Sequence, residues 1–259
     1  MPDTILIEKR ESLALLTLHR PEVFNSFNRE MALELQEKLA DISEDTAVRA
    51  VMITGFGKAF CAGQDLGEVT GPNPPSFEQI LGEHYNPIIR RIRSLEKPVI
   101  AAVNGVAAGA GANIALCCDI VLASEHASFI QAFSKIGLVP DSGGTFFLPR
   151  YIGFQKASAL MMTGDKVSAV EAERMGMIYK VLPAEGFTDE CIKFSLAMAA
   201  MPTRGLVLTK QALNHSLNHT LEQQLQVEEQ FQIAAGNSDD YHEGVNAFME
   251  KRKPVFKGF

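Results

Sequence analysis

Two apolar runs with strand character, residues 50–54 and 99–103, each break directly into a stretch made almost wholly of small residues. The first is followed by Gly55-Phe56-Gly57-Lys58-Ala59-Phe60-Cys61-Ala62-Gly63-Gln64-Asp65, the second by Asn104-Gly105-Val106-Ala107-Ala108-Gly109-Ala110-Gly111-Ala112. Small side chains let a main chain come close to a ligand or to another segment. If the second run opens a helix, its first amides have no intrahelical partner and lie at the positive end of the helix dipole, which suits a developing anion. One N–H from each loop would then make a two-point oxyanion hole. The same composition suits tight turns and close helix packing, so the loops alone leave both readings open.

The rest of the chain alternates strand and helix signals up to about residue 150. Residues 5–8 and 13–18 read as a hairpin, and Asn28 caps a helix whose apolar side carries Met31, Leu33, Leu35, Leu39 and Ile42. Residues 76–96 have helical periodicity that Pro87 should kink or divide. Short strands are expected at 120–123 and 128–131, and beyond Phe154 the pattern is mainly helical, with runs at 155–163, 169–175, 188–199, 203–215, 221–235 and 241–249. A boundary between core and helical tail falls near residue 200. No dinucleotide fingerprint or Walker lysine accompanies the alternation.

A chain of 259 residues that is 46% hydrophobic and 21% charged needs no disulfide or metal to fold. Its net charge of −7 and the lack of a basic stripe argue against nucleic acid as a partner. No apolar stretch reaches the ~18 residues of a membrane span, and the N-terminal segment lacks a secretory h-region. Cys61, Cys117, Cys118 and Cys191 have no metal-site or disulfide spacing, the six histidines form no metal or triad pattern, and a reducing cytoplasm is the expected location. The C-terminal KPVFKGF carries no peroxisomal address.

Three blocks carry a family resemblance: Ala59-Phe60-Cys61-Ala62-Gly63-Gln64-Asp65-Leu66, Lys97-Pro98-Val99-Ile100-Ala101-Ala102-Val103-Asn104-Gly105, and Gly137-Leu138-Val139-Pro140-Asp141-Ser142-Gly143-Gly144-Thr145. With Arg20-Pro21 and Asp119-Ile120 in order around them, the chain resembles the crotonase (enoyl-CoA hydratase/isomerase) superfamily along essentially its whole length. The resemblance implies an α/β fold: a crotonase-like spiral of ββα units over residues 1–200 and a C-terminal helical trimerisation region over 201–259. It implies a coenzyme A thioester as substrate, no separate cofactor, no metal, and a homotrimer or hexamer. Carried onto matching positions, the backbone N–H groups of Gln64 and Ala110 would form the oxyanion hole, and Val23, Phe24 and Ala62 would line the coenzyme A path.

Hydratases of this superfamily resemble one another in two pocket glutamates; the matching positions here are Asn113 and Phe133, counted among the substrate-lining residues, and neither exchanges a proton at neutral pH. Asp141 stands where the isomerases of the superfamily carry their catalytic acid. A single carboxylate suffices to take a proton from one carbon and return it to another. By position alone, Asp141 or Ser142 could equally cap a helix starting near Gly143; the resemblance and the two missing glutamates favour catalysis. Asp65 reads as a cap or loop brace, and Cys61 as filler.

Further blocks, among them Phe24-Asn25-Ser26-Phe27-Asn28, Ala132-Phe133-Ser134-Lys135 and Tyr241-His242-Glu243-Gly244-Val245, are similar to the isomerases of phenylacetate degradation. That resemblance implies conversion of ring-1,2-epoxyphenylacetyl-CoA to oxepin-CoA and a related shift of 3-enoyl-CoA to 2-enoyl-CoA. A Δ3,Δ2-enoyl-CoA isomerase or hydratase of fatty-acid oxidation, and a non-catalytic acyl-CoA-binding scaffold, are the alternatives.

Overall fold

The computed structural model describes residues 3–259. In chain order they form β1 (Ile5–Arg10), β2 (Leu13–Leu18), α1 (Arg29–Glu44), β3 (Ala50–Gly55), β4 (Ala59–Cys61), α2 (Leu66–Val69), α3 (Phe77–Gln79), a wide helical turn (Ile80–Tyr85) and α4 (Asn86–Ser94). There follow β5 (Val99–Val103), β6 (Val106–Ala108), α5 (Ala110–Cys117), β7 (Ile120–Ser124), β8 (Ser128–Ile130), α6 (Gly144–Ile152), α7 (Phe154–Thr163), β9 (Lys166–Ser168), α8 (Ala169–Arg174) and β10 (Lys180–Leu182). The last helices are α9 (Phe187–Ala199), α10 (Thr203–Ser216), α11 (Leu221–Gly236) and α12 (Asp239–Met249). No single helix among the described residues is long and apolar enough to cross a membrane.

The strands make two sheets, one of order β1-β2-β3-β5-β7-β10 and one of order β4-β6-β8-β9. Three successive units, β3-β4, β5-β6 and β7-β8, each place one strand in the large sheet and the next in the small one before a helical segment returns the chain. Repetition of that ββα step is the spiral. Asn104 ties two of the crossings together: Oδ1 accepts from Gly55 N at 3.1 Å, and Nδ2 donates to Gly57 O at 3.0 Å.

The central strands of the large sheet, β2, β3, β5 and β7, are buried on both faces, which is why they read as largely apolar runs, while the edge strands β1 and β10 are mostly exposed or half-buried. Leu16, Val51, Ala101 and Val121 face a core shared with α1, α4 and α5, while the alternate residues Leu15, Met52, Ile100 and Leu122 face α9. The Asn28 cap forms as expected, its side chain accepting from Met31 N at 3.0 Å. β4, β6 and β9 lie in stretches the sequence assigns to loop or helix. Each has three residues, too few for a period, and is ordered by pairing with residues distant in the chain. Pro87 does not divide its helix; the preceding turn widens instead, and Asn86 N donates five residues back to Leu81 O.

Candidate active site

The first small-residue loop is laced onto the segment after β2. Ala62 N donates to Phe24 O at 3.0 Å, Phe27 N to Gly63 O at 2.7 Å, and Asp65 N to Phe27 O at 2.8 Å. Peptide groups alternate in direction along an extended chain, so the Gln64 N–H, between two groups bonded to Phe27, is aimed the other way. It donates no hydrogen bond within the protein. Asp65 braces the loop: it accepts from Gly67 N at 2.9 Å, capping α2, and from Arg20 at 2.8 Å.

The second loop ends at Gly109, whose φ of 53° and ψ of −129° belong to a region essentially restricted to glycine. That turn starts α5, leaving the Ala110 N–H without a partner at the positive end of the helix. The two loops touch: a Cβ added to Gly63 would lie 3.0 Å from Ala108 O and 3.6 Å from Ala110 N. The two free N–H groups therefore belong to neighbouring stretches of main chain, the arrangement that serves an oxyanion.

Both open on a cavity of about 430 Å³ lined by Ala62, Gly63, Gln64, Gly109, Ala110, Phe133, Asp141 and Tyr85, with Phe77, Ile80 and Leu81 among its apolar walls. Among the described residues, Asp141 is the only carboxylate on that lining. A larger, open groove of about 930 Å³ runs between α10 and α11 and includes no residue of either loop.

Asp141 is held by its main chain. Its carbonyl accepts from Gly144 N at 2.8 Å and from Asn113 Nδ2 at 2.8 Å, which leaves the carboxylate to the cavity. Burial pushes its pKa above the ordinary carboxylate value, and a hydrogen bond from the Ser142 hydroxyl, at 2.8 Å, opposes the rise. Neither Asp141 nor Ser142 caps α6; Gly143 occupies that position and no side chain bonds there. The capping alternative is thereby removed.

Of the other residues singled out from sequence, Ala62 and Phe133 line the cavity. Val23 and Phe24 do not; Phe24, which is exposed, is tied to the lining residue Ala62 by the hydrogen bond from Ala62 N to its carbonyl, and Val23 precedes it in the chain. Asn113 also does not line it. The Asn113 side chain is buried between Asp141 O and Gln131, whose Nε2 donates to Asn113 Oδ1 at 2.8 Å, so it braces the Asp141 turn rather than meeting substrate. Sequence reasoning missed Tyr85, which faces the cavity and donates to Gln64 Oε1 at 2.9 Å; an aromatic residue at helical spacing carries no signal that separates it from core.

Residues 8–258 match the family model described as enoyl-CoA hydratase/isomerase. The sequence is 46% identical over 262 residues, covering 100% of both chains, to 1,2-epoxyphenylacetyl-CoA isomerase of Escherichia coli strain K12. It is 43% identical over 255 residues, 98% of each, to a probable enoyl-CoA hydratase of Rhodobacter capsulatus. Among solved structures it is similar to enoyl-CoA hydratase from Bacillus anthracis, with a TM-score of 0.93 at 34% identity over 99% of this chain and 100% of that one.

Proposed function

This chain belongs to the enoyl-CoA hydratase/isomerase family, and from that premise we propose that it is an isomerase, acting on ring-1,2-epoxyphenylacetyl-CoA and on 3-enoyl-CoA thioesters. The observation that carries the reading is the single carboxylate on the cavity lining, Asp141. Hydration through a carboxylate pair needs a second acid or base. Here Phe133 puts an aromatic surface at one of the two matching positions, and the amide of Asn113 at the other is consumed in bracing Asp141.

The Gln64 and Ala110 N–H groups would hold the thioester oxygen and stabilise the enolate, each worth about 10²–10³ in rate if it behaves as oxyanion donors do elsewhere. The Asp141 carboxylate takes the proton from the carbon alpha to the thioester, and the electron pair enters the conjugated enolate. Asp141 returns the proton at the gamma carbon, moving the double bond from 3,4 to 2,3 with no net change in atoms. An apolar wall supplied by Phe133, Ile80 and Leu81 excludes the water that would otherwise compete for the product. The same enolate chemistry serves ring expansion of the epoxide.

Exposed apolar side chains on the last helices, including Leu213, Phe248 and Met249, favour the homotrimer or hexamer expected from sequence, and four free buried thiols suit a reducing cytoplasm. The test is turnover of wild type and Asp141→Asn on both thioesters in deuterated water. The wild type should incorporate solvent deuterium into product, and the variant should lose about 10²–10⁴-fold in rate while still binding the thioester. Undiminished turnover in Asp141→Asn, or strong hydration of 2-enoyl-CoA by wild type, would overturn the reading.

A further inference from the structure

The wide turn before Pro87 has a cause and a consequence. Proline has no N–H to give to the carbonyl four residues back, Glu83 O. Gln36 of α1 takes that role, its Nε2 donating to Glu83 O at 2.7 Å and His84 O at 3.1 Å. At 3.6 residues per turn, His84 would stand over the gap between Ile80 and Leu81, both of which line the cavity. The wider i→i+5 turn rotates His84 away and sets Tyr85 there.

Tyr85 then meets the first loop from two sides. Its ring packs edge-on against Phe27 with centroids 6.0 Å apart, and Phe27 is the residue whose backbone laces the loop on either side of Gln64. Its hydroxyl donates to Gln64 Oε1 at 2.9 Å. At the other end of the same amide, Gln64 Nε2 donates to Glu68 Oε2 at 2.7 Å, and Glu68 Oε1 accepts from Arg29 N at 2.8 Å. The Gln64 side chain is gripped at both ends while its backbone N–H is left free.

We propose that Tyr85 is a positioning residue for thioester activation: it fixes the Gln64 side chain so that the Gln64 N–H stays aimed at the thioester oxygen. This rests on the reading of Gln64 as an oxyanion donor, and it gives the Gln64 side chain a function that its family-derived main-chain role does not supply. A donor held by a side-chain grip loses alignment, not existence, when the grip is cut. The loss should therefore fall on kcat and on the polarisation of the bound carbonyl, with little effect on binding.

The experiment compares wild type, Tyr85→Phe, Gln64→Leu and the double variant. It reads kcat and KM on 3-enoyl-CoA, and the infrared carbonyl stretch of a bound, unreactive saturated acyl-CoA labelled with 13C at the thioester carbon. Each single variant should lower kcat by about tenfold to a hundredfold, with KM within about threefold. Each should also return the carbonyl frequency toward its value in water, and the double variant should be no worse than the poorer single. Gln64→Leu cuts the same bond from the other side, so it answers the question if Tyr85→Phe folds poorly. Unchanged kcat with an unchanged carbonyl shift, or additive losses in the double variant, would overturn the proposal. The isomerase reading fails separately: a wild type that polarises the carbonyl but moves no double bond refutes isomerisation and leaves Tyr85 to be judged on the carbonyl shift alone.

Discussion

Asn113 Nδ2 donates to the main-chain carbonyl of Asp141 at 2.8 Å, three residues along α5 from the free N–H of Ala110. One helix thus carries a free N–H at its start and the brace of Asp141 one turn later, so the proposed oxyanion donor and the proposed base are set relative to each other by helix geometry. Replacing Asn113 by Leu strands the Gln131 amide and removes one of two donors to Asp141 O. A loss of about 1–3 kcal/mol in stability by urea denaturation is expected, with kcat falling more than KM rises. Gly144→Ala should act through the same contact, because its Cβ would lie 2.4 Å from Asn113 Nδ2. The two substitutions together should cost less than the sum of each alone.

Ser142→Ala should move the acid limb of the pH–rate profile to higher pH. Base catalysis needs the carboxylate, and the Ser142 hydroxyl is what opposes the upward push of burial on Asp141. The fall of kcat/KM on acidification of the wild type should itself lie above the range of an ordinary aspartate. An acid limb that stays in place in Ser142→Ala would show that another group sets it.

The same raised pKa makes Asp141 a cost to folding at neutral pH. The folded chain binds this proton more tightly than the unfolded chain, so the group's favourable contribution is present in acid and lost as pH rises through the raised value. Asp141→Asn, uncharged throughout, should therefore melt at a higher temperature than wild type at neutral pH. The difference should shrink in acid, and thermal melts across that range are the check.

All four thiols should resist alkylation in the native protein. Each cysteine is buried, and burial pushes Cys61, beside the active loop, and Cys191 up to about 12. Mass spectrometry after iodoacetamide should find no label until denaturant is added. Labelling of native Cys61 would reopen its reading as filler.

What the sequence made legible was what is local. The β1–β2 hairpin and the Asn28 cap depend on neighbours in the chain, and the two glycine loops announce themselves by composition. β4, β6 and β9 were invisible because three small or mixed residues have no period and their hydrogen bonds go to distant partners. Pro87 announced a break, but its outcome was decided by Gln36, a residue of another helix. In the site, Asp141 stands out within a glycine-flanked turn, whereas Asn113, a substrate-lining residue by resemblance, lies behind Asp141 and off the cavity lining. Whether a buried polar side chain braces or binds depends on which groups surround it, and that is a tertiary fact.

Asp119 is expected to be the costliest single charge to remove. Its carboxylate accepts from Arg93 Nη1 at 2.9 Å and Val99 N at 2.8 Å, and pairs with Lys210 Nζ at 2.9 Å, joining α4, β5 and α10. Lys210 is only 7% exposed. Burial pushes its pKa down, and the nearby Asp119 carboxylate opposes that fall. Asp119→Asn leaves two cations facing a neutral amide, so a loss of about 3–5 kcal/mol is expected at neutral pH. With Asp119 gone, the pKa of Lys210 should fall further in the folded state while staying ordinary in the unfolded one. The unfolded chain then binds more protons, so stability rises with pH and the deficit against wild type should narrow in alkali. Lys210→Met in the Asp119→Asn background should recover part of the loss by removing one stranded charge. Urea denaturation of the three proteins at neutral and alkaline pH decides it. A deficit that neither narrows with pH nor responds to Lys210→Met would mean that Asp119 matters through Val99 N and Arg93 rather than through the buried lysine.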